Sequence, residues 1–555
     1  MNKIRSIVVF LFLAFVIGWC YAPIIHIFFY NDEWRQMASV YLFGPIGSLI
    51  TTSPILMVLG KGRMIGTLIN NIAYAFFPLN PYPFIFFVFT GHCLNSFFLY
   101  RIITRILKDW RIGFVSGVFF AISHRHLEAF AWIGAGTEVI LATFFLLLSA
   151  DQLVSYVQRR NTRFLFFAFI FWYLSYLTRE QTIFLLPVYL FFAFRQITQR
   201  FKLSKSEQFS FLGLSCTVFI IFAFKLFSST AGNTYGFSGI DLWIKQLGNI
   251  VVYPFISLSQ YFVPIPFIYK LSEMMIRFWY PFMISSGNNE TLIHFFGSDV
   301  ISGIGSLCII SLCTLSILHD AKYKIPVLIA GLGYVTSFIP IAFHLVFRYD
   351  TAIESRFLYM TTPFVAFMVG VLFFRTVSLA KKSRIIAVPL LLSLCMIWFL
   401  KEMTVTRREV AVHGIRGQEM NVFIQEMKLQ MPNMPPNSVV YLESDKDYYM
   451  PNNKTPFLLG TGYVLSMLYY SDKTIPDKSI RRTSEYEEPL VQFGAEGIVK
   501  EGTVSFGYFQ DIVNLKNTVI ENHIDLKNIY AFRFNSGSLK IYSITEKIRS
   551  QLSNL

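Results

Sequence analysis

The sequence is short of charge, and what cysteine it has avoids every polar stretch. Of its 555 residues only 15% are charged, against about 25% in a soluble chain, so it lacks the polar surface to coat a water-soluble globule. Its six cysteines (Cys20, Cys93, Cys216, Cys308, Cys313 and Cys395) all lie in apolar segments and none in the polar tail. That placement excludes a disulfide framework and a metal-type cysteine spacing, and suits small hydrophobes in helix packing. No small-residue cleavage site follows the first apolar run, which is too long for a signal-peptide core. It is expected to remain as a membrane span. Internal repeats and low-complexity tracts are lacking too.

What is present is long apolar sequence. The chain is 54% hydrophobic, with mean hydropathy +0.51. A bilayer-spanning helix needs about 20 apolar residues. Spans are expected near 7–29, 82–100, 112–124, 135–156, 164–178, 181–195, 209–228, 300–318, 325–346, 357–374 and 385–400. This gives about eleven crossings (eleven to thirteen), since two further segments between 243 and 284 contribute none or two.

The net charge of +15 raises the question of nucleic acid, and its distribution answers it. Residues 401–555 hold 18 basic and 18 acidic side chains, so the excess belongs to the membrane part. There it falls in six short stretches: Lys3/Arg5; Arg101/Arg105/Lys108/Arg111; Arg159/Arg160/Arg163; Arg195/Arg200/Lys202/Lys205; Lys322/Lys324; and Arg375/Lys381/Lys382/Arg384. Each follows an even number of spans, so the positive-inside rule puts them in the cytoplasm and the tail outside. The basic charge sets topology rather than gripping nucleic acid.

Three membrane parts follow: a motif-rich block over 1–228, a mixed outer loop over 229–299 broken by Gly232, Gly236, Gly239, Pro254, Pro264 and Pro266, and four more spans over 300–400. The loop reads as interfacial or re-entrant helices, tolerable where protein or a cavity covers the backbone. Residues 401–430 are helical by composition and Pro432, Pro435 and Pro436 break the helix. Beyond 438, β-like stretches at 439–442, 503–509 and 529–534 suggest a small α/β domain.

Charged chemistry gathers on the outer face. Asn31-Asp32-Glu33-Trp34 directly follows the first span. Adjacent carboxylates beside an apolar phase are costly and push one another's pKa apart, as a base or a metal site requires; alone, a solvated helix cap would explain them as well. Lys61-Gly62-Arg63, His124-Arg125-His126-Leu127-Glu128, Glu138, Thr178-Arg179-Glu180, and the group His344, Arg348, Asp350, Glu354 and Arg356 all fall on that same face. Each taken singly suits a helix cap or a snorkelling end. Together they argue for a polar site where acids deprotonate a nucleophile and cations hold an anion.

These blocks resemble the GT-C superfamily of polyprenyl-phosphate-sugar-dependent glycosyltransferases, notably the O-mannosyltransferases and their bacterial relatives. Asp32-Glu33-Trp34 is similar to the acidic motif of that family's first outer loop. The run from Gly62-Arg63 through Phe76-Phe77-Pro78-Leu79-Asn80-Pro81 to His92-Cys93-Leu94-Asn95 is similar to the block that follows it. Phe119-Phe120-Ala121-Ile122, His126-Leu127-Glu128-Ala129 and Ala131-Trp132-Ile133 resemble the next. Thr178-Arg179-Glu180 with Pro187, and Glu354-Ser355-Arg356-Phe357-Leu358-Tyr359, resemble the later ones. Ser123-His124 stand where many relatives have His-Pro, and Ala135-Gly136 where an Arg is common, departures that bear on which sugar is handled. The tail beyond 401 resembles no family block.

The resemblance implies an α-helical polytopic GT-C-like catalytic domain over 1–400, with outer loops 30–81 and 229–299; the span count and the composition of the tail, not the resemblance, lead to the expectation of a soluble extracytoplasmic domain over 401–555. It implies inverting transfer of a hexosyl-type sugar from a polyprenyl-phosphate donor to a glycan, lipid or protein acceptor, in a bacterial inner membrane with the site facing the periplasm. Asp32 is the implied base, and Glu33 and Glu128 orient the acceptor or help hold a divalent cation (Mg or Mn), with Asp32 and Glu33 as its candidate ligands. Lys61, Arg63, Arg348 and Arg356 are candidate donor-phosphate clamps. His126, Glu138, Arg179, Glu180, Glu354 and Tyr359 support them. A helix along the membrane between 36 and 59 would line the donor's entry groove. The rival readings are a flippase or transporter of lipid-linked saccharides, against which the lack of internal symmetry counts, and a polysaccharide polymerase or ligase using the same pool.

Overall fold

The computed structural model describes residues 3–30, 32–49, 63–159, 161–185, 239–279, 290–319, 321–344, 355–379, 384–435, 437–449, 453–458, 460–469, 496–501 and 504–553. The span expected at 209–228 and most of that at 181–195 lie outside them. The first block is α1 (Lys3–Tyr21), α2 (Asp32–Gly47), α3 (Met64–Phe76), α4 (Tyr82–Leu107), α5 (Trp110–Ile122), the short α6 (Leu127–Ala131), α7 (Ile133–Arg159) and α8 (Thr162–Thr178). Local signals set the boundaries. Asp109 caps α5 by accepting from the Arg111 N–H, and Asn161 caps α8 by accepting from the Arg163 N–H. Such a cap satisfies a backbone donor that the helix itself leaves open. α4 closes where Lys108 turns left-handed at φ 58°.

The second block is α9 (Gly239–Gln260), α10 (Ile265–Trp279), α11 (Glu290–His319), α12 (Ala321–Ser337), α13 (Ile339–His344), α14 (Ser355–Leu358) and α15 (Thr362–Leu379). Six helices among the described residues are long and apolar enough to cross a membrane, or seven with α9 and α10 taken as one broken span. Those two meet at a 96° bend, with Pro264 at the break. α5, α8 and α15 are shorter apolar helices in the same bundle, where α4 packs on α5 and α7, α7 on α8, and α5 on α15. This is an α-helical integral membrane protein.

The two ends of the bundle differ in charge. At the basic end Arg105 Nη1 lies 2.5 Å and Arg101 Nη2 3.2 Å from the Asp151 carboxylate, and Arg5 lies 4.9 Å over Trp110. The expected outer clusters sit at the opposite end, at the close of α1, α5 and α8 and the start of α4, α7 and α15.

The last long helix, α16 (Arg384–Gln430), runs 47 residues without a break through position 400. At 1.5 Å per residue it is about 70 Å long, more than twice the ~30 Å hydrocarbon core. Its first turns expose Leu390, Leu392, Leu394, Met396, Ile397 and Leu400, as a lipid-facing helix would. Farther on it packs against the 3-10 turn Ala22–His26 that ends α1. Gly414 and Gly417 permit that approach. A Cβ on Gly414 would stand 3.1 Å from the Pro23 carbonyl, and one on Gly417 would overlap the His26 carbonyl.

The tail is a small α/β domain: β1 (Val439–Ser444), α17 (Thr461–Tyr469), β2 (Gly497–Glu501), β3 (Val504–Phe509), α18 (Ile512–Asn522), β4 (Ile529–Asn535), β5 (Lys540–Ser543) and α19 (Thr545–Ser553). The sheet order is β2-β3-β1-β4-β5, with β1 parallel to both neighbours and the edge strands antiparallel. The three expected strands are β1, β3 and β4; β2 and β5 escaped the sequence reading. Alternation along a strand splits the faces. Val439, Tyr441, Ile529 and Ala531 pack under Leu515, Val519, Ile548 and Leu552 of α18 and α19. Val440, Leu442, Phe532 and Phe534 face the other way and join the main core with Phe423 and Met427 of α16. Phe423 meets Phe534 edge to face at 5.4 Å.

Candidate functional site

The acidic motif opens α2. Glu33 is only 2% exposed, yet its carboxylate is satisfied: one oxygen accepts from the Tyr30 N–H at 2.6 Å and the other from the Gly134 N–H at the head of α7. A buried carboxylate without partners is strongly disfavoured, and amide bonds to an ion contribute about 1.5–3 kcal/mol each. Gly134 is what lets the backbone come so close, since a Cβ there would stand 2.5 Å from both Glu33 Oε1 and the Tyr74 hydroxyl. Glu33 thus locks α2 to α7. Trp34, fully buried, is held by the tail domain, with its ring 5.2 Å from that of Phe457 and its edge on Gly460.

A second cluster joins the turn after α5 to the signature before α15. The Glu128 N–H donates to Ser355 Oγ at 2.8 Å, and its carboxylate accepts from the Arg356 N–H at 3.2 Å. The Arg356 guanidinium lies 3.9 Å over the Trp132 ring, a cation–π contact. Tyr30 stands edge to face with Trp132 at 5.9 Å. Burial raises the Tyr30 pKa, Arg416 lowers it, Glu128 raises it and Arg356 lowers it, which puts all three charged groups around one ring.

The third cluster is two ion pairs. Arg63 grips Glu180 with both fork positions, Nε to Oε2 at 2.8 Å and Nη2 to Oε1 at 2.7 Å. Buried Arg179 reaches Glu138 at 3.5 Å and Gln181 at 3.2 Å. Burial lowers the Arg179 pKa to about 10, with Arg63 adding to the shift and Glu180 and Glu138 opposing it, so it stays charged at neutral pH. Glu138 also holds α3 close, because a Cβ on Gly66 would sit 2.8 Å from Glu138 Cγ.

Behind these lies a histidine core. His92 Nε2 donates to the Ala121 carbonyl at 3.1 Å, which only accepts, so Nδ1 accepts from the Tyr359 hydroxyl at 2.7 Å. Asn95 donates to the Tyr359 oxygen at 3.2 Å. Buried His126 packs its ring 4.4 Å from Tyr359, and neither ring nitrogen has a hydrogen-bond partner among the described residues. Burial pushes its pKa well down, with His92, His124 and Arg125 pushing the same way.

α16 supplies the remaining wall. His124 bonds buried Glu402 through both its backbone N–H and Nδ1. Thr406 donates to the Ile122 carbonyl at 3.0 Å and Arg407 to the Trp19 carbonyl at 2.6 Å. Three turns above, Arg416 lies 5.8 Å over Tyr449 of the tail domain, whose ring stands 6.3 Å from Tyr30.

Of the expected site residues, the structure brings together Glu33, Arg63, His126, Glu128, Glu138, Arg179, Glu180, Arg356 and Tyr359 at one end of the bundle. Lys61, Arg348, Asp350 and Glu354 lie outside the described residues, as do the side chains of Asp32 and of His344, the last residue of α13. The sequence reading missed Tyr30, Tyr74, Gly134, Glu402, Arg416 and Tyr449. Only Glu402 gave a signal: with Thr406 it forms an i, i+4 polar pair where an apolar span ends. For the divalent cation, no three His, Cys, Asp or Glu side chains among the described residues come together to hold a metal, and the Glu33 carboxylate is already engaged by two amides.

Fold and site together define a polytopic membrane protein whose charged clusters gather at the end of the helix bundle that meets the tail domain. No protein-family profile matches the sequence, and no curated protein matches it. Among solved structures the chain is similar to ArnT from Cupriavidus metallidurans bound to undecaprenyl phosphate, at 12% identity and a TM-score of 0.41, over 84% of this chain and 85% of that one.

Proposed function

We propose that the protein is a glycosyltransferase that moves a sugar from a polyprenyl-phosphate donor to a glycan, lipid or protein acceptor on the extracytoplasmic face. The observation that carries this reading is the meeting of Glu33, Glu128, Arg356 and the Arg63–Glu180 pair at the end of the bundle away from its basic residues. Chemically the transfer needs a base for the acceptor hydroxyl and positive charge for the departing lipid phosphate. Asp32, first residue of α2, is the proposed base. With Glu33 committed to two amides, its proposed part is to fix α2 so that the neighbouring residue is held in register. Arg356, 3.9 Å over the Trp132 ring, is the proposed phosphate clamp, and Arg63 a second cation tempered by Glu180. Glu128 orients Arg356 through its backbone. Residues 1–400 form the proposed catalytic domain and 401–555 its extracytoplasmic partner, in a bacterial inner membrane. Purified protein given a synthetic polyprenyl-phosphate sugar and an acceptor should release polyprenyl phosphate with inversion at the transferred carbon. Passage of the lipid-linked sugar across a vesicle membrane without phosphate release would instead establish a flippase.

A further inference from the structure

α10 is too short to cross a bilayer. Its 15 residues rise about 22 Å, against ~30 Å of hydrocarbon. Its side chains divide into three stripes at helical spacing. Ile268, Ser272 and Ile276 are buried, and Ser272 and Ile276 pack against Gly297 of α11. Phe267, Leu271, Met274 and Phe278 are exposed and apolar. Lys270, Glu273 and Arg277 are exposed and charged, and Arg277 takes the Glu273 carboxylate at 2.5 Å. A helix with one apolar and one charged side lies along a membrane interface, its apolar side toward the acyl chains.

Beside α10 is a cavity of about 370 Å³, a size that falls in the ~300–1,000 Å³ range of ligand sites. Val263, Leu271, Met274 and Ile301 give it apolar walls, and Phe267 and Lys270 line it as well. Ser259 and Gly305, also in the wall, mark where α11 closes on the end of α9. A Cβ on Gly305 would stand 2.9 Å from Ser259 Cβ, and the Ser259 N–H donates to Ser306 Oγ at 3.0 Å. A second cation reaches this wall from α16, where Lys401 Nζ lies 3.8 Å over the Phe267 ring. Trp398, one turn earlier, holds α16 to the bend between α9 and α10 by donating from Nε1 to the Phe262 carbonyl at 3.1 Å. Phe267 and Lys270 are i, i+3 neighbours on their helix, so both lysines border one wall residue. Both are exposed, and neither forms an ion pair among the described residues. Lys401 directly follows the exposed apolar turns at 390–400, the depth at which hydrocarbon gives way to headgroups.

We propose that this cavity binds an anionic phospholipid of the surrounding bilayer, with an acyl chain against Val263, Leu271, Met274 and Ile301 and the phosphate held by Lys270 and Lys401. Charge and position together select this occupant. Lysine binds phosphate as a point charge, and basic residues at a membrane surface attract anionic headgroups. A soluble anion would gain nothing from the apolar walls, and a neutral lipid nothing from the lysines. The bilayer also presents its own lipids to the apolar stripe of α10 at the highest concentration. The bound lipid braces the bend between α9 and α10. At that bend the Tyr261 hydroxyl donates to the Leu358 carbonyl at 3.3 Å, so the brace bears on the segment that carries Arg356 and Tyr359. The site is a matter of binding alone and does not rest on the transferase reading.

Delipidated full-length protein in dodecyl maltoside can be titrated with phosphatidylglycerol, phosphatidylcholine and farnesyl phosphate, reading Tm and the lipid retained in native mass spectrometry. Phosphatidylglycerol should raise Tm, since a ligand of the folded state stabilises it, and should act at about fivefold lower concentration than phosphatidylcholine or less. Lys270→Gln and Lys401→Gln should each raise the phosphatidylglycerol concentration required about fivefold, the equivalent of ~1 kcal/mol per lysine. Both side chains are exposed, so Tm without lipid should hold. Val263→Trp, which occupies the cavity and leaves both lysines in place, should abolish retention. Equal response to the two phospholipids, no response to either, a double lysine variant that responds as its parent, or a Val263→Trp protein that keeps its lipid would each overturn the proposal. If farnesyl phosphate displaces phosphatidylglycerol and the lysine variants weaken both, the cavity belongs to the polyprenyl phosphate, and the phospholipid assignment falls while the transferase reading stands. Farnesyl phosphate that binds parent and lysine variants alike supports two separate lipid sites.

Discussion

The carboxylate of Glu33 accepts a hydrogen bond from the amide of Gly134, a residue 101 positions away. This bond fixes the acidic motif to the head of α7, and it exists only because residue 134 has no side chain. Gly134→Ala should be far more damaging than an alanine on a helix normally is. Its Cβ would stand 2.5 Å from Glu33 Oε1 and from the Tyr74 hydroxyl, so α2 must move or the carboxylate must leave its amides. Uncovering a buried charge costs several kcal/mol. Thermal unfolding in detergent should show a loss of several degrees, and a Gly134→Ala, Glu33→Gln double variant should recover part of it. Parental stability in the single variant would refute the close contact.

Arg356 carries a sharper expectation. Removing a cation from the site of a leaving phosphate raises the barrier directly, so Arg356→Ala should cripple transfer while expression holds. Arg356→Lys should recover only part, because a point charge offers no fork. Trp132→Leu should fall between them. Activity at parental level in Arg356→Ala would leave the residue a snorkelling end, with its position over the ring a matter of packing.

Much of this architecture was legible because membranes simplify sequence. Long apolar runs, the basic stretches at one end and the short continuous apolar run of β1 each report a physical constraint that needs no partner to be seen. Glu33 is different. The motif Asp32-Glu33 announced chemistry, but that Glu33 is spent on two amides depends on where Gly134 arrives, and no spacing encodes it. Arg416 and Tyr449 were invisible for the same reason: an arginine on a charged helix and a tyrosine after a strand look ordinary until the fold sets them against Tyr30. α16 runs unbroken through the boundary expected at 400, which composition marked because lipid-facing and water-facing halves of one helix change composition without changing backbone. α3 gives no span signal in the sequence because its 13 residues are too few to cross a bilayer.

His126 gives a prediction in pH. Its pKa is held well below the ordinary value of about 6.5 by burial. The unfolded chain therefore binds a proton at a pH where the folded protein does not, and stability must rise with pH across that interval. This part of the stability is complete above about pH 6.5 and is lost as pH falls below it, at no more than about 1.4 kcal/mol per unit. A His126→Gln protein should show a shallower fall of Tm between pH 6.5 and 5 than its parent. Parallel curves would mean that the imidazole is open to water.

Topology can be tested without any activity. A tag at 203 should be reached only by reagents on the cytoplasmic side, and a tag at 470 only from outside, because the basic stretches fix the first and the span count the second. The continuous α16 sharpens the second expectation, since one helix links the last basic stretch at Arg384 to the tail domain. Labelling of both tags from one side would invert or break the proposed site, as the tail domain and the charged clusters it meets would then share their compartment with Arg101 and Arg105.

The most exposed prediction concerns Asp32. A general base contributes about 10²–10⁴-fold to turnover. Asp32→Asn preserves size and most hydrogen bonding but cannot accept a proton, so transfer should fall by about that factor while farnesyl phosphate still binds. Glu33→Gln should fail differently. Its neutral amide still accepts one backbone bond but presents N–H groups where the second amide also donates, so the loss should appear in stability as well as in rate. The two variants thus separate chemistry from scaffolding: one should unfold at the parental temperature and turn over slowly, the other should do both poorly. A flippase would show no such split, because neither proton abstraction nor phosphate release belongs to its cycle. Measuring bound donor, released lipid phosphate and Tm on the same preparations distinguishes these outcomes. An Asp32→Asn protein that transfers at the parental rate would remove Asp32 from the reaction and leave the base to be sought among its neighbours, Glu128 first.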